Sequence, residues 1–263
     1  MRRLLSFTCQ GVSLGGTLDE AEGGTGLLIV TGGSQTRIGS HRMFERLAGA
    51  VAAEGYPCFR FDRRGVGDSE GEDPGFKGSG PDIAAAAAAF RAECPRLERI
   101  AGFGLCDGAT ALALFGAEAG VESLVLANPW FVEAEAGEPP AAAIKKHYRQ
   151  QLTSIQGWKK ILSGSISYGK LLRGIKKVVA PPPADLAGEV AAGLKSKPLP
   201  LQLVLCRGDA TAVAAADVWS SAGYRPIRER SPAPQYVESD SHTFARPGDE
   251  GALLAAVLAA LRT

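Results

Sequence analysis

One short segment places a cysteine between two glycines at the spacing of a nucleophile elbow. The segment is FGLCDGA (103–109), so Gly104 and Gly108 lie two residues before and two residues after Cys106. A nucleophile on a sharp strand-to-helix turn requires small residues there, because the strand and the helix pass close together. The turn would also place the sulfur at a helix N-terminus, whose partial positive charge favours the thiolate. The pattern predicts a catalytic nucleophile; the alternative is a buried, small apolar Cys106.

A nucleophile of this kind is followed along the chain by an acid and then by a histidine. Only two histidines follow Cys106. His147 lies among lysines and is predicted to be a solvated surface residue. His242 lies in a loop before the last helix, from which its ring can reach over the nucleophile. We therefore predict that His242 is the general base.

The acid of such a triad should follow a strand at the same edge of the sheet. Asp209 is the first carboxylate after the apolar strand 201–206, and it would hold one imidazole tautomer and stabilise the cation. Asp217 is the fallback, although it is predicted to lie on the following helix. Asp240 is near His242 in sequence, but that nearness alone does not provide the geometry.

The oxyanion hole of this chemistry needs two backbone N–H donors. The N–H of Asp107, the residue after the nucleophile, is predicted to be one. The other should come from the glycine-rich turn after the first parallel strand, at Gly33 or Ser34, and the sequence leaves both open. Thr31 stands where a histidine often begins this turn. A tight turn without chemistry is the alternative interpretation of the glycines.

The elements that must position these residues alternate between short apolar strands and helices. The predicted strands are 26–30, 57–62, 100–105, 121–127 and 201–206, and the predicted helices are 43–54, a helix capped by Asp82 that continues to Arg91, 107–115 and 250–261. This alternation predicts the α/β class, with a mostly parallel sheet covered by helices on both faces. Ligands of such sheets bind beyond the carboxyl ends of the strands.

A long segment without a strand interrupts this alternation between residues 127 and 201. An insertion of this size predicts a helical lid. The predicted organisation is a core of residues 1–129 and 199–263, with residues 130–198 as the lid.

The predicted lid is strongly basic. Residues 141–177 contain nine Lys and Arg and no Asp or Glu, and because the whole chain is +1, the rest carries −8. The segment is either a solvated face or a site that attracts an anion, such as the phosphate of an acyl-CoA or acyl carrier, an acidic glycan, or an anionic membrane surface. Trp158, Ile161 and Leu162 would suit peripheral membrane contact. No nucleic-acid motif accompanies the charge, so nucleic acid is not predicted as a partner.

Composition excludes several other classes of protein. The 263 residues include 29 Lys and Arg against 28 Asp and Glu and are 45% hydrophobic, as in ordinary globular proteins rather than disordered ones. Five cysteines without framework spacing and three histidines predict neither disulfides nor a metal site, and no cofactor is predicted. The first residues are too short an apolar run for a secretory signal. We therefore expect a cytoplasmic location; the sequence gives no indication of oligomeric state.

Several longer motifs together resemble one family. They are TGGSQTRIGSHRMF (31–44), FRFDRRGVGDSEG (59–71), GFGLCDGA (102–109), NPW (128–130), KKHYRQQL (145–152), WKKILSG (158–164), GDATA (208–212) and SHTFA (241–245). The chain resembles the hydrolase 1 family associated with the exosortase A system, which accompanies bacterial exopolysaccharide and protein-sorting loci. The resemblance implies an α/β-hydrolase fold and a Cys-Asp-His triad, which falls on Cys106, Asp209 and His242.

Three residues near these motifs are candidates for substrate binding. Arg37 and His41 follow the oxyanion turn and are predicted either to face the pocket or to serve in capping and salt bridges. Trp130 of the NPW motif is the third candidate. The DRRGVGDS segment, with Asp62, Arg63, Arg64 and Asp68, is predicted to be a fold-supporting turn.

Three functions are compatible with these features. The leading hypothesis is a hydrolase that cleaves an ester or thioester through an acyl-cysteine, because a cysteine is already partly thiolate near neutral pH. An acyltransferase using the same intermediate is the runner-up, since a lid that excludes water would favour transfer. The third is a non-catalytic module of the same fold that binds an anionic partner.

Overall fold

The computed structural model describes residues 1–132 and 186–262, in which eight strands form one sheet. The strands are Arg2–Cys9 (β1), Val12–Asp19 (β2), Thr25–Val30 (β3), Cys58–Phe61 (β4), Arg99–Leu105 (β5), Ser123–Ala127 (β6), Leu201–Cys206 (β7) and Gln235–Val237 (β8). Their order is β1-β2-β4-β3-β5-β6-β7-β8. β1 and β2 pair antiparallel, and so do β2 and β4, whereas the remaining neighbours pair in parallel.

Helices cover both faces of this sheet, as the alternating pattern predicted. The helices in the described residues are Met43–Ala53 (α1), Gly80–Glu93 (α2), Asp107–Phe115 (α3), Leu186–Ser196 (α4), Ala210–Ser220 (α5), Arg225–Arg228 (α6) and Asp249–Leu261 (α7). Short 3₁₀ turns occupy Ser40–Arg42, Phe76–Gly78 and Ala222–Tyr224. One core lies between the sheet and α1 with α7, and the other lies between the sheet and α2, α3 and α4.

The central strands are continuous apolar runs because both of their faces are buried. On β3, Leu28 and Val30 belong to the core beneath α2 and α3, whereas Leu27 and Ile29 belong to the core beneath α1 and α7. All four side chains are fully buried. Each such side chain stabilises the fold by roughly 1.5–3 kcal/mol relative to an exposed one, so the sheet is a rigid platform for the loops that follow its strands.

Two parts of the sheet were absent from the sequence prediction. The β1–β2 hairpin adds an antiparallel edge, and its two-residue turn has left-handed φ at Gln10 (48°) and Gly11 (86°), the conformation that tight hairpin turns require. The short strand β8 extends the other edge. The sequence signal for the hairpin was the turn-forming Gln-Gly pair. In the structure the side chains of β1 alternate in exposure, whereas those at the end of β2 are buried.

The predicted cap of the second helix was wrong. α2 begins at Gly80 with Ser79 in the cap position, so Asp82 lies inside its first turn. The Asp82 side chain is fully buried. It accepts hydrogen bonds from the Nε of Arg64 at 2.5 Å and from the Sγ of Cys9 at 3.2 Å. Its role is therefore to hold the loop after β4 against β1, and this depends on partners distant in sequence.

The parallel strands deliver their following loops to one edge of the sheet, as expected for this class. Of the predicted lid (130–198), the structure describes 130–132 and 186–198, and α4 packs on the core through Leu186, Val190 and Leu194. The basic segment 141–177, with His147, lies outside the described residues. Within the ranges that are described, no helix combines the length and apolarity needed to cross a membrane.

Candidate active site

Cys106 occupies a strained turn between β5 and α3. Its backbone has φ 58° and ψ −126°, a conformation that costs a residue with a side chain roughly 1–3 kcal/mol. The turn fits only because its neighbours are glycines. A Cβ on Gly104 would lie 2.6 Å from the backbone nitrogen of Ala109, and a Cβ on Gly108 would lie 2.5 Å from the carbonyl oxygen of Val30. The elbow geometry predicted from the glycine spacing is therefore present.

Cys106 differs from the other four cysteines in its surroundings. It is partly exposed, at the N-terminus of α3, whereas Cys9, Cys58 and Cys206 are buried. Burial raises the thiol pKa of Cys9 and of Cys206 to about 11. It raises the pKa of Cys58 well above the ordinary value for a thiol, and it also raises the pKa of Cys94. These four thiols are therefore poor nucleophiles at neutral pH.

His242 lies between Asp209 and Cys106. Its Nδ1 is 3.1 Å from the Oδ1 of Asp209, which is an ion-pair distance, although the N–H direction departs from that of a well-formed hydrogen bond. Interaction with Asp209, and secondarily with Cys106, raises the pKa of His242 from 6.5 to about 10. With Nδ1 directed to the carboxylate, Nε2 is left to exchange protons with the sulfur. The structure thus brings the three predicted catalytic residues together, with the imidazole between a carboxylate and a thiol.

Asp209 is held in place by the helix that it caps. Its backbone is extended, and its Oδ2 accepts a 2.8 Å hydrogen bond from the backbone N–H of Ala212 in the first turn of α5. The side chain is about nine-tenths buried. The two alternative acids lie elsewhere: Asp217 is exposed on α5, and Asp240 forms an exposed ion pair with Arg246.

The loop that carries His242 is fixed by a residue that the sequence analysis did not single out. Asn128, fully buried after β6, donates from Nδ2 to the backbone carbonyl of His242 (2.9 Å), and its Oδ1 accepts from the backbone N–H of Cys206 (2.8 Å). Its φ is 39°, a left-handed conformation that asparagine adopts more readily than most residues. The sequence signals were the place of this asparagine directly after an apolar strand and at the start of the NPW motif (128–130).

His41 supports the same loop from the other side. Its Nε2 donates to the backbone carbonyl of Thr243 (2.9 Å), and because a carbonyl can only accept, Nδ1 accepts from the Nη2 of Arg46 (2.9 Å). Both His41 and Arg42 have left-handed φ, 43° and 64°. The geometry therefore favours a role of His41 in positioning the His242 loop over contact with substrate.

Arg37, another candidate for substrate binding, joins neighbouring loops. Its guanidinium pairs with Asp62 and, through Nη2, with Asp68 at 2.7 Å, and its Nε donates to the Oγ1 of Thr17 at 2.9 Å. The side chain is only 12% exposed. Since its donors are engaged by these partners, the structure favours the fold-supporting alternative for Arg37, and also for the turn that contains Asp62 and Asp68.

Trp130 is linked to Cys106 through the backbone. Its N–H donates to the carbonyl of Cys106 at 3.1 Å, and its own carbonyl accepts from the hydroxyl of Thr110 on α3 at 2.6 Å. The indole is partly buried against the core beneath α3. Trp130 therefore stays a candidate for the wall of the substrate pocket.

The glycine-rich turn after β3 lies against the elbow. A Cβ on Gly32 would be 3.2 Å from the Cβ of Cys106. The backbone N–H of Gly33 donates to the carboxylate of Asp107, whereas Ser34 makes no backbone N–H bond to any described residue. The N–H of Asp107 lies in the first turn of α3, where helices leave N–H groups without an intrahelical acceptor. The turn that carries the predicted donors Gly33 and Ser34 thus lies beside Cys106, with the Gly33 N–H engaged by Asp107.

The chain has the α/β-hydrolase fold, as comparison with solved structures shows. The esterase Pf2001 of Pyrococcus furiosus matches with a TM-score of 0.65 and 17% identity, over 100% of this chain and 90% of its own. The α/β hydrolase GrgF of Penicillium sp. matches with a TM-score of 0.64 and 16% identity, over 100% of this chain and 98% of its own.

A dienelactone hydrolase of Anabaena variabilis is a third similar structure, with a TM-score of 0.63 and 14% identity over 100% of this chain and 97% of its own. No protein-family model and no curated protein matches the chain. At these identities, the likeness extends to the fold, and the chemistry must be argued from the residues of the site.

Proposed function

We propose that the chain is a hydrolase that cleaves an ester or thioester through an acyl-cysteine on Cys106. The observation that carries this proposal is the position of His242, whose pKa of about 10 arises from Asp209 on one side and Cys106 on the other. An imidazole held by a carboxylate, beside a sulfur at a helix N-terminus, is the arrangement that activates a cysteine as a nucleophile.

The first half of the reaction forms the acyl-enzyme. The Cys106 thiolate attacks the substrate carbonyl carbon, and the carbonyl electron pair moves to oxygen, where the backbone N–H groups of the oxyanion hole stabilise it. When the carbonyl re-forms, the bond to the leaving alkoxide or thiolate breaks. The leaving group takes the proton from His242, which becomes neutral, while Asp209 keeps the ring oriented.

The second half releases the acid. The neutral ring of His242 takes a proton from water as the oxygen attacks the thioester carbon. Collapse of the second oxyanion breaks the carbon–sulfur bond, which returns the electron pair to Cys106 as thiolate and leaves His242 protonated. The carboxylic acid departs and the resting ion pair is restored.

The proposed link to exopolysaccharide comes from the family that the motifs resemble, and that resemblance does not define the natural substrate. We propose that the substrate is an acyl group carried by a small molecule or by a carrier. We also propose that its cleavage is linked to exopolysaccharide synthesis. A hydroxyl or amine in place of water would make the same acyl-cysteine an acyltransferase intermediate. The ground for the exopolysaccharide link is the resemblance of GLCDGA, NPW and WKKILSG to that family.

Steady-state hydrolysis of p-nitrophenyl butyrate and butyryl-CoA tests the proposal. We expect Cys106→Ala to lower kcat by at least about 10³-fold, as loss of a nucleophile does in comparable enzymes. Cys94→Ala, at the other partly exposed cysteine, is the matched control and should leave kcat unchanged. Undiminished turnover in Cys106→Ala would overturn the assignment. Turnover that occurs only when a sugar alcohol is added, with the butyryl ester of that alcohol as the product, would favour transfer.

A further inference from the structure

Gly33 lies in the turn beside the nucleophile, and side chains of opposite charge bond its backbone N–H and its backbone carbonyl. Its backbone N–H donates to the carboxylate of Asp107, and its carbonyl accepts from the Nη2 of Arg63. Asp107 directly follows the nucleophile, whereas Arg63 comes from the loop after β4. The two side chains therefore fix Gly33 from the elbow and from the neighbouring strand at once.

The turn geometry determines what this arrangement does to the next residue. The N–H of Gln35 donates to the carbonyl of Gly32 at 3.3 Å, so Gly33 and Ser34 are the two central residues of a β-turn. Gly33 has φ 57°, and Ser34 is not among the residues with positive φ. The peptide between them is the one whose orientation distinguishes turn types. Holding its carbonyl oxygen therefore selects one orientation of that peptide.

A trans peptide directs its carbonyl and its N–H to opposite sides. With the Gly33 carbonyl bonded to Arg63, the N–H of Ser34 faces away from the guanidinium. A cation on the carbonyl also polarises the amide and strengthens its N–H as a donor. Because the N–H of Gly33 is already taken by Asp107, Ser34 is the donor that remains of the two candidates, Gly33 and Ser34.

Arg63 makes few bonds for an arginine at its depth. The side chain is 2% exposed. Its Nε and Nη1 have no hydrogen-bond partner within the described ranges, and its nearest carboxylate oxygen, on Asp73, is 3.7 Å from Nη2. A buried guanidinium satisfied at only one nitrogen is unfavourable for stability. A purely structural role would therefore leave Arg63 poorly explained.

We propose that Arg63 is a positioning residue of the oxyanion hole: by holding the Gly33 carbonyl, it presents the N–H of Ser34 as the second donor. Asp107 supplies the first donor from its backbone, and its carboxylate holds the N–H of Gly33. The inference rests on the proposed acyl-cysteine chemistry. It resolves the choice between Gly33 and Ser34, which the sequence left open.

Replacing Arg63 separates this role from a structural one. We expect Arg63→Met to lower kcat for p-nitrophenyl butyrate by about 10- to 100-fold with KM nearly unchanged, somewhat less than the loss of a whole oxyanion donor. The melting temperature should stay the same or rise, because two unpartnered buried nitrogens are removed. Arg63→Lys, which keeps a charged donor, should recover part of kcat.

Arg64 provides the matched control in the same loop. Its guanidinium is bonded to the Asp82 side chain, the Gln10 side chain and the Gly78 carbonyl. Arg64→Met should therefore show the opposite pattern, a lower melting temperature with unchanged kcat. If Arg63→Met instead lowers the melting temperature and keeps kcat, Arg63 is structural and the proposal fails.

Ser34→Pro tests the donor itself, since proline removes the N–H and is compatible with a negative φ. We expect kcat to fall by about 10²- to 10³-fold, in a chain whose circular dichroism matches the wild type. A folded Ser34→Pro variant with wild-type kcat would assign the hole to another donor. These outcomes are distinct from failure of the proposed function, which would appear as wild-type turnover that does not depend on Cys106.

Discussion

Asn128 offers the sharpest test of how the His242 loop is held, because its one side chain bonds both this loop and the end of β7. In Asn128→Ala, the buried N–H of Cys206 and the carbonyl of His242 each lose a partner, and an unsatisfied buried group costs about 1–3 kcal/mol. The alanine must also adopt the φ of 39°, which costs about 1 kcal/mol more. We expect a loss of about 3–7 kcal/mol in the free energy of unfolding.

Urea unfolding followed by tryptophan fluorescence would measure this loss as a lower midpoint with an unchanged m-value. Asn128→Gly is the matched variant, since it removes the same two hydrogen bonds but tolerates the backbone conformation. It should be about 1 kcal/mol more stable than the alanine variant. Both should also lower kcat, because the His242 loop loses its anchor. Two variants within about 1 kcal/mol of the wild type would refute the reasoning, since so small a loss is that of a single exchanged hydrogen bond.

Two further predictions concern the ion pair and the elbow. The raised pKa of His242, about 10 against 6.5, means that its charged form stabilises the fold fully below pH 6.5, and that this stabilisation falls as the pH rises toward 10. The stability difference between wild type and Asp209→Asn should therefore be largest at pH 5.5–6.5 and smallest near pH 10; urea unfolding that shows a gap widening with pH would contradict this. Gly104→Ala would place a Cβ 2.6 Å from the Ala109 nitrogen, so we expect a loss of at least about 1–3 kcal/mol and of most activity. A Gly104→Ala variant with the free energy of unfolding and the kcat of the wild type would show that the elbow can accommodate a Cβ at this position.

The predictable part of this molecule is the part that depends on local sequence. The apolar strands and the helix 43–54 appear within a few residues of their expected ends, because each is a short run with its own periodicity and its own stop, such as Gly55 with φ 93°. The elbow was equally local, since it depends on glycines two residues from Cys106. Asp209 and His242 followed from the order in which a parallel sheet brings its loops to one edge.

The features that escaped prediction depend on partners distant in the chain. Arg37 could have faced a pocket, and only the fold shows that Asp62 occupies its guanidinium. Asp82 was expected to cap a helix, but Arg64 and Cys9 engage it from other elements. Asn128 and Arg63 act on backbone groups of loops that the sequence alone does not place beside them. The basic segment 141–177 stays a prediction, as do its anionic or membrane partners.

Intact-mass spectrometry of the acyl-enzyme tests the central claim most directly. The wild-type chain, mixed with p-nitrophenyl butyrate and quenched in acid during the first turnover, before the acyl group is hydrolysed, should gain the mass of one butyryl group. Peptide mapping should locate that group on Cys106, and Cys106→Ala should gain none. An adduct on another residue, or rapid turnover in Cys106→Ala with no adduct at all, would contradict a thioester at the elbow.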